Sequence, residues 1–475
     1  MLSKVLRIAG GVILTLAIVW ALVFGWWHSN DHHPDTGELA LYLVALPLAL
    51  IGGYWLLRLS IDQIKAKPQA EAAAQPAASE DPLALARAKT DAAERAYSLR
   101  VTDTFIVAAG GAKAEEILAA VEADKQPQPV PELIDKNGRP VFAAVVAGID
   151  ATVTDAITER HPNLKKLLQR DDAPRALELL DRVLQQACEA IRTRLAGLQP
   201  PGKLRLQLLC LLPAAWGNSD FPHLQSWLRA FDWPPSEALE LDIQLVPVAS
   251  DVDALRQVDQ AILHTNREAG NDRLLILVAG AMSAATQSGV AEYETTTGLF
   301  AWEHQDRLIP GEGAVAILFA PEAVCTRLKL TDCVAVSRVS HAVRDKSVHA
   351  GGRVRGVLIE ELLAGLLSAS GVAAQDITAA VLDTDRRPIH AAEIMEGLGT
   401  AFAHLEPVKD FPATGRVNGY LTPLGGLIAL ACACHRAQAN QSPVLCISNQ
   451  HDRERAALLV RPANFDSSSE TRSTT

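Results

Sequence analysis

Gly311-Glu312-Gly313-Ala314-Val315-Ala316-Ile317-Leu318-Phe319-Ala320 sets an acid between two glycines and then runs on without a polar residue. Shortly before it, residues 272–280 read Asp-Arg-Leu-Leu-Ile-Leu-Val-Ala-Gly. Both are unbroken apolar runs of strand length, so they are expected to lie side by side in a sheet covered on both faces. Near the C-terminus the same pair recurs, at 442–448 (Ser-Pro-Val-Leu-Cys-Ile-Ser) and 455–460 (Arg-Ala-Ala-Leu-Leu-Val). Each pair follows a helix-like segment, 251–264 in the first case and 423–438 in the second. A helix, a strand and a returning strand, occurring twice, predict an internally duplicated α/β fold.

The intervening chain agrees with that pattern. Residues 140–150 read as a strand leaving through a glycine turn, 175–195 as an amphipathic helix, and 204–212 and 239–248 as strands. A long helix at 355–370 leads through Gly371-Val372 and Asp376-Ile377 into a strand at 379–382. Residues 83–99 have helical composition and 100–109 form a candidate first strand. Strands alternating with helices are the mark of an α/β protein.

These features resemble the β-ketoacyl synthases of the thiolase-like superfamily. The resemblance rests on the Gly311–Ala314 segment before an apolar strand, and on the helix, Ser370-Gly371-Val372, Asp376-Ile377 and strand succession. It rests too on Gly419-Tyr420-Leu421-Thr422-Pro423-Leu424-Gly425-Gly426, which opens a small-residue helix and is similar to the family's glycine-histidine segment. It covers roughly 140–462 and implies a duplicated ketosynthase-like fold that dimerises through a sheet edge. The family's catalytic residues are missing. Its nucleophilic cysteine would fall at Val248 to Ser250, and no cysteine lies between Cys210 and Cys325. Asp251 and Asp253 stand in the first turn there, where they would oppose a thiolate, and Ser250 with Asp253 reads as a helix cap. One family histidine is replaced within Leu382-Asp383-Thr384-Asp385-Arg386, with Glu393 at a later acidic position and His390 where the family has an aspartate. The other aligns with Tyr420, and the preceding lysine with Gly415, next to Arg416. Such histidines stabilise the anion that develops during decarboxylation. The positions of the lost family site are thus Val248, Ser250, Leu382 and Tyr420, and no catalytic residue is assigned.

The amino-terminal part has a different character. Residues 8–27 carry no charge and are long enough to cross a bilayer as a helix; 39–57 form a second apolar stretch. Lys4 and Arg7 precede the first span, Arg58, Lys65 and Lys67 follow the second, and residues 28–38 hold neither Lys nor Arg. The positive-inside rule then places the large domain in the cytoplasm, on an inner membrane if the chain is bacterial, as the resemblance implies. The expected organisation is a transmembrane hairpin (1–64), a flexible linker rich in Ala, Gln and Pro (65–82), an N-terminal extension (83–139), the duplicated domain (140–462) and a disordered Ser/Thr-rich tail (463–475).

Composition excludes several functions. Of 475 residues, 49% are hydrophobic and 21% charged, enough for a large core. The net charge of −11 lacks the basic field that nucleic-acid binding needs. Seven cysteines without a CxxC pair read as buried thiols in a reducing compartment. His28, Asp31, His32, His33 and Asp35 read as a solvated loop. Cys432 and Cys434 would project about 200° apart on a helix, too far to share one ion with His435. The glycines at 311 and 313 open a strand, so they do not form a dinucleotide loop. Gly351-Gly352-Arg353 reads as a solvated turn. No metal and no cofactor is expected. The resulting expectation is a membrane-anchored, catalytically inactive ketosynthase-like protein that binds another protein as an adaptor or scaffold of a secretion or envelope system. The alternative is an acyl-binding or acyl-transfer protein of lipid metabolism with a rearranged site, marked by an apolar tunnel near Val248, Leu382 and Tyr420. A subunit of a membrane complex is a third reading.

Overall fold

The computed structural model describes residues 90–463 apart from 150–151, 197–202 and 269–272, together with 465 and four isolated positions, 20, 23, 26 and 35. The spans expected at 8–27 and 39–57 and the linker at 65–82 lie outside the described residues, as does the tail except for 463 and 465. Among the described residues no helix is long and apolar enough to cross a membrane.

Twelve strands are described: β1 (Ser98–Ala108), β2 (Gln128–Ile134), β3 (Pro140–Ala143), β4 (Leu204–Pro213), β5 (Leu239–Val248), β6 (Leu274–Ser283), β7 (Glu312–Ala320), β8 (Val334–Ser337), β9 (Ser340–Val343), β10 (Ala379–Leu382), β11 (Val444–Ser448) and β12 (Glu454–Pro462). The helices around them include α1 (Ala114–Glu122), α2 (Ala173–Ala196), α3 (Phe221–Arg229), α4 (Asp251–Arg267), α5 (Val357–Ser370), α6 (Pro388–Leu398) and α7 (Gly425–Asn440). The main sheet runs β10-β11-β12-β8-β1-β7-β6-β4-β5, with β9 also on β12.

That order is a duplication. In the first half β4 is parallel to β5 and β6, while β7 returns antiparallel between β6 and β1. In the second half β10 is parallel to β11, and β12 returns antiparallel between β11 and β8. β10, β11, β12 and β8 therefore repeat β4, β6, β7 and β1, and β5 has no counterpart among the described residues. The halves join where Ser98–Val101 of β1 pairs with β8.

The strand period of two sorts the side chains into three cores. Val315, Ile317 and Phe319 of β7 face a central layer holding α4 and α7, which Val444, Cys446, Leu458 and Val460 of the second half also face. Ala314, Ala316 and Leu318 face the opposite way, onto α2 and α3. Leu445, Ile447, Leu459 and Leu382 pack under α5 and α6. The result is five layers, with helices outside, between and outside two half-sheets. Strands covered on both faces must be apolar throughout, hence the continuous runs. α2 buries Leu177, Leu180, Leu184 and Ile191 at helical spacing, each contributing roughly 1.5–3 kcal/mol.

Two expectations change. The expected strand at 140–150 stops at Ala143 and pairs with β2 in a separate two-stranded sheet, while Ala144 makes a single bridge to Gly311; Gly148, at φ +74°, turns the chain away. The segment set apart as an extension, 83–139, supplies β1, which sits mid-sheet between β8 and β7. The domain thus does not begin at 140.

Gly311 allows a close approach between loops, since a Cβ there would lie 2.1 Å from the Asn418 carbonyl oxygen. Glu312 has no exposed surface and is held by Arg175 Nε at 2.7 Å, the Val146 N–H at 2.7 Å and the Ser283 hydroxyl at 2.8 Å. The segment that decides the fold is a packing device with a buried ion pair.

Candidate functional site

The central helices α4 and α7 bring their N-termini together, and the positions of the lost site lie around that meeting. Val248 ends β5 and is 1% exposed in the central core. Ser250 caps α4: its hydroxyl oxygen accepts from the Asp253 N–H at 3.1 Å and its own proton goes to Glu454 Oε2. The return half of the cap reaches the Ala249 N–H at 3.4 Å. This is the arrangement of a structural cap.

Leu382 corrects the sequence reading by one residue. Its side chain lies in the outer core under α5 and α6, because the strand period points it away from the central layer. The next residue, Asp383, turns inward and is fully buried. Asp383 Oδ2 accepts from the Ser448 hydroxyl at 2.5 Å, and Oδ1 from the N–H groups of Asn449 at 2.8 Å and Gln450 at 3.2 Å.

Asp251, in the first turn of α4, is also fully buried. It accepts from the Gly426 N–H at 3.1 Å and from the Thr422 hydroxyl. One carboxylate thus takes up N–H groups at the start of α7 while standing at the start of α4. Both helix dipoles favour an anion at that point. The sequence reading had Asp251 opposing a bound anion; in the structure its own carboxyl occupies the place such an anion would take. Gly425 lies between the two acids: a Cβ there would be 3.1 Å from Gln450 Oε1, 3.2 Å from Asp251 Oδ1 and 3.6 Å from Asp383 Cβ. Burial pushes the Asp383 carboxyl up to about 7, and the nearby charge of Asp251 adds to this. Burial likewise pushes Asp251 above the usual carboxylate range, against the pull of its hydrogen bonds to Thr422 and Gly426.

Tyr420, at the position of the family's second histidine, is half-buried. The Arg387 guanidinium stands 5.4 Å from its ring centroid, and Tyr293 meets it edge to face at 6.0 Å. Burial pushes its phenol up to about 12, so it is a neutral hydrogen-bonding group at physiological pH. Arg387 is 2% exposed and is bound by Asp385 at 2.8 Å and by the Gln450 carbonyl at 2.8 Å. Gly415 and Arg416, in the family's lysine region, lie in a short helix; Arg416 is exposed and pairs with Asp124 at 2.7 Å. Glu393 is buried between Arg344 at 2.5 Å and Arg455 at 2.8 Å. His390 donates through Nδ1–H to the Asn449 carbonyl, 2.7 Å away, and is fully buried.

Sequence reasoning missed the turn between β11 and β12, Ser448-Asn449-Gln450-His451-Asp452-Arg453-Glu454. Ser448, Asn449 and Gln450 hold Asp383, the Gln450 amide reaches the Gly419 carbonyl at 3.2 Å, and Glu454 holds Ser250. Its signal was a dense polar run between two fully apolar strands, longer than a hairpin turn needs.

All seven cysteines are buried. Burial pushes the thiols of Cys188, Cys210 and Cys432 up to about 12, and those of Cys434 and Cys446 upward as well. Cys432 and Cys434 pack inside the central core with α7. The sulfurs of Cys325 and Cys333 stand 3.8 Å apart, in the outer core of the first half. A thiol nucleophile must be exposed and have a lowered pKa.

No family model and no curated protein sequence matches this chain. Solved structures do match its fold. A type II polyketide synthase acyl-carrier protein in complex with its ketosynthase bound to the hexaketide (AntDE:AntF) aligns over 77% of this chain and 100% of the other, at 10% identity and a TM-score of 0.54. The ketosynthase from module 6 of the bacillaene synthase of Bacillus subtilis 168 aligns over 78% and 72%, at 10% identity and 0.53. The OzmH KS7 ketosynthase domain for oxazolomycin from Streptomyces albus JA3453 aligns over 77% and 74%, at 11% identity and 0.50. With the order of the two half-sheets, these matches show that the described body of the chain has a ketosynthase-like fold.

Proposed function

We propose that this chain is a membrane-anchored, catalytically inactive ketosynthase-like protein that works by binding another protein, as an adaptor or scaffold of a secretion or envelope system. One observation carries the reading: Asp251 occupies the meeting point of the α4 and α7 N-termini and uses N–H groups that could otherwise receive a substrate's developing charge. Its carboxyl already fills the place an oxyanion would take, and neither Ser250, bound at both ends, nor a buried thiol replaces the missing nucleophile. The apolar spans at 8–27 and 39–57 support anchoring, with the body on the cytoplasmic side of an inner membrane.

The surface offers a place to bind. Trp302 is 62% exposed and stacks edge to face with Phe142 at 5.6 Å and Phe300 at 5.8 Å. Lys136, Arg139 and Arg307 edge the groove beside them, together with Asp135, Glu294 and Glu303. An aromatic cluster with a polar rim is the composition of an interface hot spot. The AntDE:AntF structure holds an acyl-carrier protein on its ketosynthase, so a carrier domain is one partner class to test against this surface. The free edge of β5 also leaves room for a homodimer that continues the sheet.

A photo-reactive phenylalanine analogue placed at 302 of the full chain, in its native membrane, tests the binding reading. The expected result is a discrete heavier species that is missing when the analogue is placed at 408, where Val408 is 96% exposed. Uncrosslinked chain at both positions would overturn it.

A further inference from the structure

His349, His390 and Asp452 each offer a ligand atom within 4.8 Å of the other two. They come from three separate parts of the chain: the loop after β9, the first turn of α6, and the turn between β11 and β12. His390 has no exposed surface, and its Nε2 has no hydrogen-bond partner. A buried ring nitrogen left unsatisfied costs about 1–3 kcal/mol, so its retention calls for an explanation.

The second ring nitrogen supplies one. Nδ1 lies 2.7 Å from the Asn449 carbonyl oxygen, which can only accept, so Nδ1 carries the proton and Nε2 keeps its lone pair. A backbone carbonyl behind one imidazole nitrogen is how metal-binding histidines are oriented. The same burial, with the charges of Arg387 and Arg455 nearby, drives the ring's pKa well below its ordinary value and keeps it neutral, as ligation requires.

The remaining two groups are placed to meet it. His349 Nε2 and Asp452 Oδ1 are 3.2 Å apart, close to the separation of about 3.3 Å between ligands at Zn–N distances of 2.0–2.1 Å in a tetrahedron. The loop that carries His349 is fastened to the turn that carries Asp452. The Val348 N–H donates to the Asp452 carbonyl at 3.1 Å, the Arg344 N–H to the Arg453 carbonyl at 2.8 Å, and the Ser347 hydroxyl receives the His349 N–H at 3.1 Å. The side chains of His349 and Asp452 are 44% and 38% exposed, which leaves an entry path for an ion. The neighbouring cations have acidic partners: Arg387, 3.8 Å from Asp452, is bound to Asp385, while Arg344 and Arg455 share Glu393, which leaves one positive charge on that group.

We propose that His349, His390 and Asp452 form a binding site for a borderline divalent transition metal such as Zn²⁺, with a fourth position open to water. Two imidazoles and one carboxylate suit Zn²⁺ and exclude the oxygen-only preference of Ca²⁺ and Mg²⁺. The site would tie the loop after β9 to α6 and the β11–β12 turn, locking the framework around Asp383. It departs from the expectation that the chain holds no metal, and it stands whether or not the protein proves inactive.

The test uses the full chain in detergent, stripped with a chelator and titrated with Zn²⁺ against a chromophoric competitor, with Co²⁺ absorption as a report on geometry. One equivalent is expected to bind with a dissociation constant of micromolar or below, accompanied by four-coordinate Co²⁺ bands. His349→Ala, at an exposed position, is expected to weaken that equivalent at least tenfold and abolish the bands without altering the far-ultraviolet circular dichroism. Asp452→Asn should weaken it similarly, and His223→Ala, on the exposed face of α3, should leave it unchanged. Absence of the equivalent in the wild-type chain, or its full retention in His349→Ala, would overturn the proposal.

Discussion

Asp251 and Asp383 show how a single side chain can close a site. Each would be costly to bury as an anion, and each is compensated by backbone N–H and hydroxyl donors. The compensation is incomplete for Asp383, whose carboxyl is raised to about 7 in the fold against 3.8 as a free group. A raised acid binds its proton more tightly in the folded state. Its contribution to stability is present below pH of about 4 and is lost as pH rises towards about 7. Asp383→Asn keeps an acceptor for the Asn449 and Gln450 N–H groups, and the Ser448 hydroxyl can turn to accept. The stability of this variant minus that of the wild type, measured by denaturant unfolding, should therefore rise between pH 4 and pH 8. A pH-independent difference would contradict the assignment. The residues around this pair were only partly legible. The cap at Ser250 follows from its spacing to Asp253, whereas the inward turn of Asp383 in place of Leu382 depends on strand register, which the sequence leaves open by one residue.

Elements were read where both faces are buried or where apolar positions alternate. β5 and β10 have the expected bounds, and β4, β6, β7, β11 and β12 lie within a few residues of theirs. β6, β7, β10 and β11 are covered by helices on both faces and run apolar, whereas β5, at the sheet edge, shows the two-residue alternation of apolar positions with exposed Glu240, Asp242 and Gln244. The short strands β2, β8 and β9 were missed. β2 alternates prolines with exposed residues, and β8 and β9 are four residues each, too few to show a period. β1 was recognised as a strand, but its central place comes from pairings with β7 and β8, partners more than 200 residues away that no local pattern announces. The Glu312–Arg175 pair links β7 to α2 at the segment that decides the fold. Arg175→Met would leave the buried Glu312 carboxyl with only the Val146 N–H and the Ser283 hydroxyl, at a cost of roughly 1–3 kcal/mol. Urea unfolding should show that loss; a change below about 1 kcal/mol would mean that the pair does not hold the two layers together.

For the whole molecule, the duplicated fold could be read from repeated helix–strand–strand units, and the ordering of the half-sheets agrees with it. Function was less legible, since what distinguishes this chain is a set of substitutions whose effect depends on where the side chains meet. The cysteine absence is visible in one dimension; the convergence of Asp251, Asp383, Gln450 and Thr422 on the ends of α4 and α7 is visible only in three. The pair of half-sheets then serves as a rigid support for an aromatic surface around Trp302, with its own acids filling the centre. The most direct test is the intact mass of the full chain after incubation with acyl-CoAs and with acylated carrier protein. The account predicts an unchanged mass. A stable acyl increment that disappears when one residue is replaced would contradict it and identify a nucleophile.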